Sequence, residues 1–455
     1  MSYSFQKPLK ASAEKTENDY KEGIAYFGLK KDVVYCKNCV ISNQRPNSEY
    51  EYKHTTKTKK RTIIFENGLC QACQYAKAKK QKIDWKDREK QLRELCDKYR
   101  KNDGSYDCIV PGSGGKDSFF TSHMLQNKYG MNPLTITWAP NMYTPWGLKN
   151  MENWVNSGVD NTLLSPNRRV QRLLTRLSLE HLLHPFQAFQ FGQKYLAPRI
   201  AMRHNVELIF YGEHMAEYGN SLEEVKTPIM DEKYFINDDE NLYVGGVSHS
   251  DLISKFGLSD ADLKHYKPLT TEEIGDSKIQ VHYFGFYEPW HPQGTYYYAV
   301  EHGGFVTSPE RLSGSYSKYN SIDDKMEEFN YYTLGIKYGL GWTSNLAALD
   351  TRNGDLTRDE AVALTKKYDI EYPETWINDF LDYVSIPAKE FPIASKQFEQ
   401  PIMDREYFDN LVDSFRSPHI WKLENNIWTK RKNCWDEYKD GQNTLDSASI
   451  WTGNK

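Results

Sequence analysis

The run Ser113-Gly114-Gly115-Lys116-Asp117-Ser118 has the composition of an anion cradle. Paired glycines let a backbone turn sharply and approach an anion with no Cβ in the way. A helix beginning just after them presents unpaired N–H groups and a positive dipole end to phosphate. Ser113 and Ser118 add hydroxyl donors, and Lys116 adds a cation. Asp117 beside a phosphate implies a bridging divalent ion, so it is assigned to Mg²⁺. The Walker A pattern fails twice. Val110 stands where its first glycine belongs, and Asp117 stands where Ser or Thr should follow the lysine. Kinase-type γ-phosphoryl chemistry is therefore not indicated.

The second constellation is sulfur. Cys36 and Cys39 form one CxxC pair, and Cys70 and Cys73 a second. Two such knuckles make a closed tetrahedral site of the structural Zn²⁺ kind, with no position left for a catalytic water. Cys96 and Cys108 read as packing residues, and Cys434 has no assigned role. Glutaminases need an activated cysteine nucleophile. Position 2 is Ser2, and none of Cys96, Cys108 and Cys434 has flanking glycines, so the chain is expected to draw ammonia from elsewhere.

The elements around these residues set their context. Tyr106–Pro111 is an apolar run suited to a buried strand, and a helix over Ser118–Tyr129 follows the glycine loop. Leu134–Trp138 reads as a strand. Thr144 caps and Pro145 opens the next helix, which Gly158 closes. A strand at Asn161–Leu164, helices around Asn167–Leu183 and Gln193–His204, and a strand at Val206–Tyr211 continue the alternation. The fold class is therefore α/β, a parallel sheet with helices on both faces. Ligands of such sheets bind beyond the carboxyl ends of the strands. Trp138, Gly212 and Glu213 lie at such ends and join the nucleotide-binding set.

Five regions are expected: a polar extension (1–30), a zinc-binding module (31–80), a linker helix (81–105), a phosphate-loop α/β domain (106–345) with an insertion at about 220–320, and a mostly helical C-terminal region (346–455). The insertion resists assignment to helix or strand.

The net charge is −4, spread unevenly. The first 105 residues are basic and the remainder acidic. The basic end is either a solvated Lys-rich helical face or a site for an acidic partner such as RNA. No apolar run is long enough to span a bilayer, and the polar start lacks a signal-peptide core, so a cytoplasmic location without a membrane is expected.

A strand followed by SGGxDS resembles the PP-loop ATP pyrophosphatases, which cleave ATP between its α- and β-phosphates. Within that class the chain resembles the bacterial N-acetyl sugar amidotransferases of surface polysaccharide, O-antigen lipopolysaccharide and pseudaminic acid pathways. The segments that carry the resemblance are CKNCVISNQRP (36–46), GLCQAC (68–73), YDCIVPGSGGKDS (106–118), KYGMNPLTITW (128–138), YGEHMAEYG (211–219), SYSKYNSIDDKMEEFNYYTLGIKYGLG (315–341), NGDLTRDEAVALTKKYD (353–369) and FRSPHIW (415–421). The chain departs from the family in its polar head, in extra residues between about 220 and 280, and at Trp342, where an arginine is expected.

The resemblance implies conversion of an acetamido group of a nucleotide-linked sugar to an acetamidino group. AMP is transferred to the amide oxygen and ammonia then replaces it. The cofactors implied are ATP, Mg²⁺ and structural Zn²⁺. The implied partners are a separate glutaminase and a cyclase-like companion. Residues 287–320 are rich in Tyr, Trp and small polar groups, which suits a sugar ring or a plain structural segment equally. Tyr316, Lys318, Tyr319 and Asn320 are the substrate-binding candidates. Lys116, Asp117, Lys325 and Lys337 are the catalytic candidates, Lys325 and Lys337 as cations for the departing pyrophosphate unless they lie on a solvated face. The alternative is a tRNA-thiolating PP-loop enzyme. Its sulfur chemistry would need a reactive cysteine near the ATP domain, and an acidic body repels phosphate backbones.

Overall fold

Short apolar runs rich in β-branched residues build the centre of the molecule, seen in a computed structural model that describes residues 3, 5, 25–46, 62–220, 226–239 and 241–436. A small hairpin, β1 (Phe65–Glu66) and β2 (Leu69–Cys70), comes first, followed by α1 (Gln71–Gln81) and α2 (Trp85–Tyr99). Then β3 (Cys108–Pro111), α3 (Lys116–Asn127), β4 (Pro133–Trp138), α4 (Pro145–Asn156), β5 (Asp160–Leu164), α5 (Arg168–Leu182), α6 (Gln187–Arg203) and β6 (Leu208–Tyr211) alternate as the periodicity predicts. Most of the expected extension, residues 1–30, lies outside the described residues.

The sheet has five strands in the order β5-β4-β3-β6-β9, where β9 is Gln280–Tyr283. All four pairings are parallel, with Cys108 opposite both Pro133 and Leu208, and Leu208 opposite Gln280. Every residue of β4 is buried, as a sheet covered on both faces requires. The chain runs outward through β3, β4 and β5, then returns across the sheet to β6. The order therefore reverses between β3 and β6, and the crevice at that reversal is the standard ligand position of open α/β sheets.

Local chemistry sets the helix ends. The Thr144 hydroxyl accepts from the Gly147 N–H at 3.0 Å, with Pro145 in the first turn. Asp84 caps α2 through the Lys86 and Asp87 amides. Helix α6 starts six residues before the expected Gln193, because Phe186, Phe189 and Phe191 are all buried in the main core. Strand β9 was not foreseen in the insertion. Its Val281, His282 and Tyr283 are buried against β6, and tertiary pairing rather than periodicity makes it a strand.

The insertion also holds β7 (Tyr243–Val244), β8 (Val247–Ser248), α7 (His249–Ser254), α8 (Asp260–Leu263), α9 (Thr271–Ile274) and α10 (Pro292–Gly303). After residue 321 the chain is mainly helical: α11 (Glu327–Tyr338), α12 (Trp342–Asn353), α13 (Arg358–Tyr368), α14 (Ile377–Val384) and α15 (Arg405–Asp413). A terminal hairpin, Trp421–Glu424 with Ile427–Lys430, was not expected. Phe329 and Phe380 stack with centroids 3.9 Å apart and join α11 to α14. Trp342, the departure from the family pattern, is buried flat against Tyr331 at 4.7 Å. No helix among the described residues is long and apolar enough to cross a membrane.

Candidate functional site

The Ser113–Ser118 loop leaves the end of β3 and enters α3 at the sheet's reversal point. Gly114 has φ +83°, and a Cβ there would lie 2.7 Å from the Met151 backbone. Only glycine fits both conditions. Gly115 has an ordinary φ and open space beside its Cα, so it serves as a bare N-cap facing the crevice. Ser113 donates to the Asp323 carboxylate, and the Ser118 hydroxyl turns back to the Gly115 carbonyl at 3.0 Å.

Asp117 is held from three directions. One carboxylate oxygen accepts from Trp290 Nε1 at 2.8 Å and Thr295 Oγ1 at 2.9 Å, and the other from Lys116 Nζ at 2.5 Å. Three of about four acceptor positions are thus taken. Asp117 is first of all an anchor that fixes the loop to α10, a wider role than the expected Mg²⁺ ligand. Lys116 is buried and sits 5.7 Å from the Trp290 ring centre.

Glu213 stands across from the loop, after β6. Burial, then the charge of Asp117, raises its carboxyl to about 7, and Lys116 and Lys194 oppose that rise. Asp117 and Glu213 together are a repelling carboxylate pair that a divalent cation would relieve. The rest of a magnesium shell would come from phosphate oxygens and water.

These groups border a cleft of about 330 Å³, which also takes in Trp138, Gln193, Lys194 and Tyr211. That size lies within the range of small-molecule sites. Trp138 lies against the Cα of Gly192, where a Cβ would come within 2.2 Å of the indole. A Cβ on Gly212 would meet Thr121 Oγ1 at 3.2 Å, so bare backbone lines the cleft there. Gln193 and Lys194 were missed as cleft residues, and Trp290 and Thr295 as the groups that hold Asp117. The signal for the latter pair was their place in the aromatic segment beginning at 287.

Other expected site residues fall elsewhere. Lys325 pairs with Asp379 at 2.6 Å and lies over Trp376. Lys337 is buried, its ammonium on the Leu182 carbonyl at 2.7 Å and near the Phe27 and Phe415 rings. Neither borders the cleft: Lys325, just before α11, faces Asp379 of α14, and Lys337, near the end of α11, faces Leu182 and the Phe415 ring. Lys318 is exposed and donates to the Pro309 carbonyl, and Asn320 bonds Ser317 within its own turn. Tyr319 stacks on Tyr296 at 4.2 Å. Tyr316 is the one of these four with a link to the loop. It donates to Asp350 at 2.5 Å, and Asp350, raised to about 6 mainly by burial, feels the charge of Lys116.

The four cysteines of the paired knuckles converge. Their sulfurs all lie within 4.8 Å of one another, with Cys36 to Cys73 at 3.7 Å and Cys39 to Cys70 at 3.8 Å. A tetrahedron of Zn–S bonds of about 2.3 Å has edges of about 3.8 Å, so the donor set fits Zn²⁺. N–H groups address the sulfurs: the Cys70 amide reaches Cys36, the Asn38 amide reaches Cys73, and Arg352 reaches Cys39 at 3.9 Å. Lys79, on α1 of this module, pairs with Glu217 and also donates to the Trp290 carbonyl, both at 2.5 Å. The metal module thus braces the residue that holds Asp117.

Residues 313–434 match the family described as LPS biosynthesis protein WbpG-like, C-terminal domain. That stretch holds α11–α15 and the terminal hairpin, but neither the glycine loop nor the four-cysteine site. A segment of 83 residues, 18% of this chain, is 32% identical to an uncharacterised protein of Methanocaldococcus jannaschii and spans 29% of that protein's length.

Proposed function

We propose that the protein is an ATP-dependent amidotransferase of the PP-loop class, acting on an N-acetyl sugar in lipopolysaccharide biosynthesis. The observation that carries this reading is the Ser113–Ser118 loop at the reversal of the parallel sheet, with Asp117 pinned and Glu213 opposite. The match of residues 313–434 to a WbpG-like domain supports the pathway.

In this reading the amide oxygen of the sugar attacks the α-phosphorus, and the bond to the bridging oxygen of pyrophosphate breaks. The loop amides and Lys116 take the charge that builds on the leaving pyrophosphate. Mg²⁺, held through Asp117 and Glu213, would add charge neutralisation there. Ammonia then attacks the activated imidate carbon, the C–O bond to AMP breaks, and a proton is lost to leave the amidine. The residues supply position and electrostatics rather than covalent chemistry.

All seven cysteines are buried. Burial pushes the Cys96 thiol up to about 12 and Cys434 up to about 11. Such thiols are poor nucleophiles. This weighs against tRNA thiolation and against an internal glutaminase.

Two outcomes are expected. Incubation with ATP, ammonium and a panel of nucleotide-linked N-acetyl sugars should give AMP and pyrophosphate in equal amounts, with one sugar oxygen replaced by NH in the mass spectrum. ADP as the stoichiometric product would exclude this chemistry. With glutamine as the only nitrogen source the purified chain should be inactive, and a separate glutaminase should restore turnover. Glutamate release matching AMP formation would overturn that expectation.

A further inference from the structure

Arg45 belongs to the metal module but reaches toward the loop. Its carbonyl accepts from the Ile63 N–H at 2.9 Å. Ile63 packs against Gly219, where φ is +90° and a Cβ would lie 3.2 Å from Ile63 Cγ2. The module is thereby docked on the segment after β6 that carries Glu213.

From this dock the guanidinium lies 5.7 Å from the Tyr218 ring centre. Tyr218 in turn lies 6.3 Å from Trp290, the ring that donates to Asp117. Glu213 and Asp117 both bear on the Tyr218 hydroxyl, as does Arg45. Two aromatic rings therefore run from the loop's aspartate to a guanidinium.

Arg45 has no carboxylate partner among the described residues. The strongest charge it feels is that of another arginine, Arg352, opposed in part by Tyr218 and Cys70. Arg352 is already engaged by the Glu217 carbonyl at 2.9 Å and by Cys39. Arg45 is half-buried, so its guanidinium is still within reach of an anion. Its planar fork suits phosphate or carboxylate in bidentate fashion, and the neighbouring rings suit a sugar face.

We propose that Arg45 is a specificity-determining residue that pairs with an anionic substituent of the sugar substrate laid along Tyr218 and Trp290. This rests on the amidotransferase reading. The zinc module is then part of the substrate site as well as a structural support.

The test compares wild type, Arg45→Lys and Arg45→Ala at saturating ATP and ammonium. The substrates are a nucleoside-diphosphate N-acetyl sugar, the matching sugar 1-phosphate, a carboxylate-bearing N-acetyl sugar and the neutral N-acetyl sugar. Arg45→Ala should raise KM for an anionic sugar roughly 10–100-fold, the range of a lost charge-assisted contact. The KM for ATP and the zinc content should not change, the neutral sugar should show no such rise, and Arg45→Lys should recover part of the loss. Which anionic sugar responds tells phosphate from carboxylate. An equal KM rise for neutral and anionic sugars would overturn the proposal, as would an unchanged KM with loss of zinc, the result expected if Arg45 only balances the thiolates. Failure of wild type to convert any of the four sugars would instead remove the amidotransferase reading beneath it.

Discussion

Asp117→Asn is expected to lower kcat roughly 10²–10³-fold, the scale of losing one preorganised charge-stabilising element. The asparagine carbonyl can still accept from Trp290 and Thr295, so the fold around α10 should survive. Its NH₂ group, however, faces the Lys116 ammonium, donor against donor, and Lys116 loses its anchor beside the loop. A second consequence has a definite sign. The Asp117 charge raises the Glu213 carboxyl, so its removal lets that carboxyl fall from about 7 toward the ordinary carboxylate range. An activity that needs ionised Glu213 should then retain its residual rate to lower pH than wild type. Gly114→Ala should be as damaging for another reason. The left-handed backbone costs a non-glycine residue about 1–2 kcal/mol, and the new methyl would press on the Met151 backbone. Steady-state rates across pH for both variants, with circular dichroism to verify folding, check these expectations. A wild-type rate in either variant would mean that the loop is not the site of chemistry.

Removal of zinc should produce the largest change in stability. Structural zinc contributes apparent binding energies of about 10–16 kcal/mol in small finger peptides. A larger chain should show part of that as a lower Tm and loss of the module. The consequence here should reach the cleft. Without the metal, burial favours the neutral thiol at Cys39, and buried Arg352 loses the negative charge that it faces there. Helix α1 then loosens, and with it Lys79, which holds Glu217 and the Trp290 carbonyl. Asp117 thus loses its Trp290 donor through a path that begins at the metal. Cys70→Ser should therefore lower Tm and reduce activity together. Elemental analysis should find one zinc per chain, and zinc-free protein with unchanged Tm would refute the assignment.

Much of the architecture was legible because neighbouring residues specify it. Thr144-Pro145 is a local capping signal and needs no tertiary contact to be read. The strands β3, β4 and β6 are apolar runs bounded by turns. The glycine loop was recognisable because its strand-loop-helix context is contiguous in the chain. The paired CxxC spacing placed four sulfurs in two groups that converge as expected.

The failures have a common cause. Lys325, Lys337 and Lys318 were assigned from residue type, yet a lysine's reach is set by which face of its helix or turn packs inward. Helix α11 places Lys337 among aromatic rings, and the turn before it sets Lys325 against Asp379. Strand β9 carries no signal that separates it from its irregular surroundings, and only the unpaired edge of β6 makes it a strand.

The sequence by itself determined the glycine loop, the parallel α/β alternation and the four-cysteine cluster, since each is encoded over a short span by backbone geometry or residue spacing. Tertiary structure alone decided which distant groups meet that loop. Trp290 and Thr295 fix Asp117, Glu213 faces it, and Arg45 enters from the metal module. Those pairings join segments distant in the chain, and they are selected by packing around the sheet rather than by any local preference of the chain.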